Sequence, residues 1–156
     1  MTDYDLLAAQ TSALIRCVPH LVADLANISA LIYHSLEDIN WVGFYLIEDG
    51  RLVLGPFQGN TACVEIPLGK GVCGTAAAED RTVLVPDVHL FAGHIACDSA
   101  SRSEIVIPVH INGRLIGVLD IDSPILSRFD DNDRIGLERT VRAAEAELAL
   151  TNLHGT

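Results

Sequence analysis

The chain has 156 residues, 49% of them hydrophobic, and a formal net charge of −11. That length suits one domain, residues 1–156, with a sizeable core, and the hydrophobic content excludes disorder. The acidity disfavours nucleic acid as a partner, the N-terminus lacks a basic and an apolar signal region, and no apolar run approaches a membrane span, so a cytoplasmic protein without a membrane partner is expected.

Residues 4–37 read as helical. Leu14, Val18, Leu21, Leu25 and Ile28 recur at spacings of three and four, the mark of one buried helical face. Pro19 divides the stretch into two helices. From Trp41 the period falls to two, with Val42, Phe44 and Leu46 alternating against Trp41, Gly43 and Tyr45, which predicts a strand. Glu48-Asp-Gly50 reads as a turn before a second strand from Leu52 to Phe57, and a short strand follows from Cys63 to Ile66. Gly69 and Gly71 lead into a helix over Val72–Glu79, then a strand over Thr82–Val85.

Residues 86–103 show no period and carry Pro, Gly, His, Ser and Asp. A loop of that length in a compact domain is usually functional or mobile. Beyond it, Glu104–Ile111 and Arg114–Asp122 flank Asn112-Gly113, a dipeptide suited to a type I′ hairpin. A last helix starts near Asp130 or Asp131 and buries Leu137, Val141, Ala144 and Leu148. The order predicts an α+β fold: an antiparallel sheet with its N- and C-terminal helices packed on one face.

Cys63, Cys73 and Cys97 stand beside Gly, Pro or polar residues. In a cytosolic chain such thiols are more often catalytic or metal-binding than disulfide scaffolding. Cys73 falls in the first turn of a helix after Gly69-Lys-Gly71, where backbone N–H groups and Lys70 would favour a thiolate. Cys97 lies in the long loop near His94 and Arg102, which would do the same. Cys17, on the first helix, reads as a core or interface residue. Zinc is a rival use of the thiols, with His89, His94 and Cys97 joined by Cys63 or Cys73, but no Cys-x-x-Cys or His-Glu-x-x-His spacing is present.

On the strand from Leu115, residues Leu115, Gly117, Leu119 and Ile121 share one face, and Ile116, Val118, Asp120 and Asp122 share the other. Two acids on a face that begins apolar suit an ammonium ligand, and burial could raise one pKa enough to make it a proton donor. The plain alternative is a strand end emerging into solvent. A two-residue turn at Asn112-Gly113 would set Ser103 opposite Asp122 and point Glu104 away from both aspartates. Glu104 joins them only through a bulge or from the loop before the strand, and Pro108 makes an irregularity plausible. Trp41 and Tyr45 share a strand face and could wall a small pocket or simply fill the core.

Together these residues resemble the free methionine-(R)-sulfoxide reductases, single-domain enzymes of the GAF fold. The resemblance spans about Ile39 to Leu148. It rests on Asn40-Trp-Val-Gly-Phe-Tyr45, Gly55-Pro-Phe-Gln-Gly59, Gly69-Lys-Gly-Val-Cys-Gly-Thr-Ala76, Asp87-Val-His89, Gly93-His-Ile-Ala-Cys-Asp98, Ala100-Ser-Arg-Ser-Glu-Ile105 and Gly117-Val-Leu-Asp-Ile-Asp-Ser123. The cysteines keep that family's separations of ten and twenty-four.

The resemblance implies a GAF-like fold and a role for each matched residue. Cys97 would be the nucleophile, with Cys63 and Cys73 the other redox cysteines and Cys63 the main resolving partner. Glu104, Asp120 and Asp122 would bind substrate, with Trp41 and Tyr45 as pocket aromatics and the backbone N–H of Ile95 as a further contact. It therefore also implies that the simple hairpin register is broken, or that Glu104 precedes it. Free methionine sulfoxide is the expected substrate, thioredoxin the expected reductant, and no cofactor or metal is expected. The N-terminal helices could pair two chains as a homodimer. Readings from other classes are a ligand-sensing GAF module, a zinc-bound structural protein and a thiol redox sensor.

Overall fold

Every predicted element is present in the computed structural model, which describes residues 1–95, 97 and 99–151. Helices α1 (Tyr4–Ile15) and α2 (Leu21–Ser35) flank Pro19, which cannot donate a helical hydrogen bond. The strands are β1 (Trp41–Glu48), β2 (Arg51–Gly59), β3 (Glu65–Pro67), β4 (Val83–Val85), β5 (Ser103–Ile111) and β6 (Arg114–Ser123). Helix α3 (Gly71–Glu79) lies between β3 and β4, and α4 (Asp131–Thr151) closes the described chain. The six strands form one antiparallel sheet in the order β3-β2-β1-β6-β5-β4. None of the described helices is long and apolar enough to cross a membrane.

The sheet divides two cores. On one face Val42, Phe44, Ile105, Ile107, Leu119 and Ile121 pack against Leu25, Ile28 and Ile32 of α2 and Leu137, Val141 and Leu148 of α4. The N- and C-terminal helices therefore share one face, as the sequence predicts. On the other face Trp41, Tyr45, Val106 and Val118 pack against Val72, Cys73 and Ala76 of α3. The starts of α1 and α4 carry side-chain caps, while α2 has none: Asp3 accepts from the Leu6 N–H at 3.0 Å, and Asp130 and Asp133 accept reciprocally from each other's N–H groups at 2.8 and 2.9 Å.

Three expectations need correction. The N-terminal stripe is offset: Leu14 is exposed and Val18 lies outside both helices, whereas Leu7 and Ile15 are the buried residues. The break at Pro19 resets the helical phase, so one period cannot run through both halves. Cys63 precedes β3 rather than lying in it. Within β6, Leu115 packs with the Trp41 cluster and not with Leu119 and Ile121.

The last difference has a local cause. The hairpin starts as expected, with Ile111 opposite Arg114 and His110 opposite Leu115, but Val109 then pairs with Gly117. Ile116 is the extra residue of a bulge, and one extra residue reverses which side chains share a face. Beyond it Val106 stands opposite Asp120 and Glu104 opposite Asp122.

Candidate active site

The bulge puts three acids on one face. β1 adds the rest, because Trp41 pairs with Asp122, Gly43 with Asp120 and Tyr45 with Val118. Glu104, Asp120 and Asp122 are 7%, 6% and 9% exposed. They are therefore not a strand end emerging into solvent. Helix α3 covers them, and the Cys73 thiol reaches Glu104 Oε1 at 3.9 Å. The long loop closes the mouth with His94, Ile95, Cys97 and Ser101.

Trp41 and Tyr45 form the aromatic wall. Their rings stack with centroids 5.9 Å apart, and Phe57 also stacks on Trp41 at 5.2 Å. Gly43 makes this possible: a Cβ there would lie 2.3 Å from Phe57 Cβ and 2.6 Å from the Trp41 ring. The polar tips of both aromatics hold the segment that carries Cys63. Trp41 Nε1 donates to the Asn60 carbonyl at 3.0 Å, and the Tyr45 hydroxyl donates to the Cys63 carbonyl at 2.9 Å. Cys63 is thus fixed to the cleft wall although it belongs to no strand.

Cys63 and Cys97 are joined in a disulfide, with Cα atoms 5.3 Å apart. The bond ties the loop to the rim of the cleft. In this form the cleft encloses about 40 Å³. The zinc set drawn from His89, His94 and these cysteines loses two donors to the disulfide.

Electrostatics in the cleft are unusual. Burial pushes the Glu104 and Asp120 carboxyls well above their ordinary range, and neighbouring carboxylates add to the shift. Burial and the same acids push the Cys73 thiol up, and likewise the Tyr45 hydroxyl. Cys73 does lie in the first turn of α3. The expected thiolate there is nonetheless overturned, since desolvation and three nearby acids outweigh a helix terminus and a lysine. Burial and His89 push His94 down, so it is no imidazolium partner for Cys97. Among the described residues no lysine or arginine lines the cleft. A pocket with this inventory attracts a small cation and can hold a proton on a carboxylic acid.

Cys17 is exposed and has φ 61°, so it is not a core residue. The sequence reading also missed Gly43, Phe57 and Ser101. Gly43 was detectable as the small residue between two aromatics on one strand face. Phe57 and Ser101 reach the site through pairing and loop closure, which leave no local pattern.

A model of the GAF domain matches residues 6–148. The free methionine-R-sulfoxide reductase of Escherichia coli (strain K12) is 55% identical over 147 residues, covering 94% of this chain and 84% of that protein. The structure of the fRMsr of Staphylococcus aureus in its reduced form superposes with a TM-score of 0.92 at 57% identity, covering 96% of this chain and 97% of that one. The free methionine-R-sulfoxide reductase of Neisseria meningitidis, solved in complex with its substrate, gives 0.91 at 42% identity, covering 96% and 90%.

Proposed function

The chain belongs to the GAF-domain family and, within it, to the free methionine-R-sulfoxide reductases, and from that premise we propose how its own residues carry out the reduction. The observation that carries the proposal is the disulfide between Cys63 and Cys97 at the mouth of a cleft walled by three buried acids.

Cys97 in its thiolate form attacks the sulfoxide sulfur. The sulfoxide oxygen takes a proton from a buried carboxylic acid of the cleft, and Glu104 and Asp120 are the acids whose burial keeps a proton available. Methionine leaves and Cys97 carries the oxygen as a sulfenic acid. The Cys63 thiol condenses with it, releasing water and forming the disulfide. A dithiol, with thioredoxin as the physiological candidate, returns both sulfurs to thiols by exchange. The balance is two electrons from the dithiol to the sulfoxide, with one water formed.

The three acids hold the substrate's ammonium group. Fully ionised, they would oppose one positive charge with three negative ones in a buried site. Protonation driven by burial brings the cleft closer to one net negative charge, which an ammonium group neutralises. A peptide-bound methionine sulfoxide has no such ammonium, so the site selects the free amino acid. Trp41 and Tyr45 wall the thioether end, and the backbone N–H of Ile95 supplies a further polar contact.

The test incubates the reduced protein with free L-methionine-(R,S)-sulfoxide and dithiothreitol and resolves the remaining epimers by chiral chromatography, with Cys97→Ser alongside. Loss of the R epimer alone, abolished in the variant, supports the proposal. Survival of both epimers in well-folded protein would leave a redox sensor or ligand-binding module in its place.

A further inference from the structure

The proposed reaction uses Cys63 and Cys97, which leaves Cys73 as a buried thiol facing two acids with no task in it. One donor atom each from Cys73, Glu104 and Asp120 lies within 4.8 Å of the other two, and all three residues are buried. Cys73 Sγ and Glu104 Oε1 are 3.9 Å apart. Zinc bonds of about 2.3 Å to sulfur and about 2.0–2.2 Å to oxygen set donors roughly 3.5 Å apart in a tetrahedron. The present triangle is wider than that, with edges of up to 4.8 Å, so binding an ion requires the three side chains to draw inward.

A second, independent observation points to a missing partner. Asp120 is 6% exposed; its side chain shares hydrogen bonds with Glu104 and Cys73, but its Oδ1 is buried with none. It belongs to a residue that lines the cleft. A buried carboxyl oxygen without a partner is costly, and a cation that displaces the proton of the group would satisfy it. The three ligands come from α3, β5 and β6, so the scaffold presents them on regular elements rather than on the loop.

We propose that Cys73, Glu104 and Asp120 form a binding site for one thiophilic divalent cation, zinc in the first instance, and that the bound ion inhibits the enzyme. The thiolate favours zinc over magnesium or calcium. Binding displaces the Cys73 proton and the protons held by the two carboxyls to solvent, with no change of oxidation state. A fourth position faces the cleft for water. The inhibition, though not the binding, rests on reading these acids as the ammonium site, since an ion held by Glu104 and Asp120 would stand where the substrate's charge must go.

The test uses Cd2+, whose thiolate complexes absorb in the ultraviolet. With Cys17 replaced by serine and the Cys63–Cys97 disulfide intact, Cys73 is the single thiol in the chain. Titration should give one Cd2+ per chain with a charge-transfer band that Zn2+ displaces and Mg2+ does not. Cys73→Ser should abolish the band. Glu104→Gln and Asp120→Asn should each weaken binding by at least the roughly tenfold seen when supporting groups of metal sites are lost. A band of the same affinity in both carboxylate variants, or no band in protein whose fold is verified by circular dichroism, would overturn the site. The link to inhibition is read separately, in protein carrying serine at positions 17, 63 and 97 so that the cleft is not tied shut. There, free L-methionine should raise the apparent Cd2+ dissociation constant. Binding that methionine does not disturb would keep the metal site, reject the inhibition and count against the ammonium assignment.

Discussion

Glu104 and Asp122 face each other across the β5–β6 ladder because β6 carries one residue more than β5 at Ile116. Without that bulge Glu104 would point into the helix-side core, where a carboxylate has no partner. With it, Glu104 completes a cluster of acids beneath α3. The cluster is expensive to bury, and that expense sets its dependence on pH.

Glu104 and Asp120 have folded pKa values above their ordinary 4.5 and 3.8. The folded state therefore binds protons more tightly than the unfolded chain. These groups favour folding below their unfolded values, and that favour is lost as pH rises through the folded values. Tyr45, Cys73 and Asp122 face the same space, and the Cys73 hydrogen bond offsets part of the upward shift of both acids. Glu104→Gln should flatten the fall in melting temperature as pH climbs from about 4 to about 8, and should stabilise ligand-free protein at the upper end. Parallel melting curves for variant and wild type across that range would contradict the assignment.

Gly43 is the seat of the aromatic wall. A methyl group there would meet Phe57 Cβ at 2.3 Å and the Trp41 ring at 2.6 Å. Gly43→Ala should cost about 1–3 kcal/mol through overpacking and lower the melting temperature by roughly 2–4 °C per kcal/mol for a chain of this size. Trp41 is the single tryptophan, so displacement of its ring from a 2% exposed position should shift protein fluorescence to the red. An unchanged emission maximum would mean that the ring holds its place without the glycine.

The resolving step distinguishes the two remaining cleft cysteines. After one turnover of fully reduced protein, peptide mapping without reductant should recover Cys63 bonded to Cys97. Cys63→Ser should instead accumulate a sulfenic acid at Cys97 that dimedone traps, while Cys73→Ser should still form the disulfide. A Cys73–Cys97 bond as the first product would make Cys73, and not Cys63, the resolving cysteine.

The disulfide form encloses about 40 Å³ in the cleft, room for about three waters by the usual measure and too little for an amino acid. Isothermal titration should therefore find L-methionine binding to the reduced protein and none to the oxidised protein. Equal binding in both states would mean that the Cys63–Cys97 bond does not obstruct the site.

Much of this arrangement is legible in the chain. Period-two runs mark β1 and the β5–β6 pair, Asn112-Gly113 places the hairpin turn, and Cys63, Cys73 and Cys97 beside Gly, Pro and polar residues point to thiol chemistry, catalytic or metal-binding, while their separations carry meaning only through the family resemblance. Residue chemistry alone does not decide the side on which Glu104 lies. A one-residue bulge changes every side chain beyond it and has no strong local signal, since Ile116 is an ordinary strand residue. The family resemblance supplies that answer. The Cys73 thiol misleads for a related reason: its helix terminus and Lys70 are visible in sequence, but its burial under Glu104 and Asp120 is a tertiary fact. Cys17 reads as part of a helix face, yet the helix ends two residues earlier, at Ile15.

The proposed function gives the acid cluster the ammonium group of a free amino acid and gives Cys97 its sulfoxide, and substrate acetylation separates these two roles. Single-turnover rates of the reduced enzyme are compared for free L-methionine-(R)-sulfoxide and its N-acetyl derivative, in wild type and Asp122→Asn. Acetylation should slow the wild type at least about tenfold, from loss of a buried charge contact worth roughly 2–5 kcal/mol. The fall should be smaller in the variant, which has already lost part of that contact. Equal rates for the two substrates in the wild type would contradict a role for the acids in recognising the ammonium group.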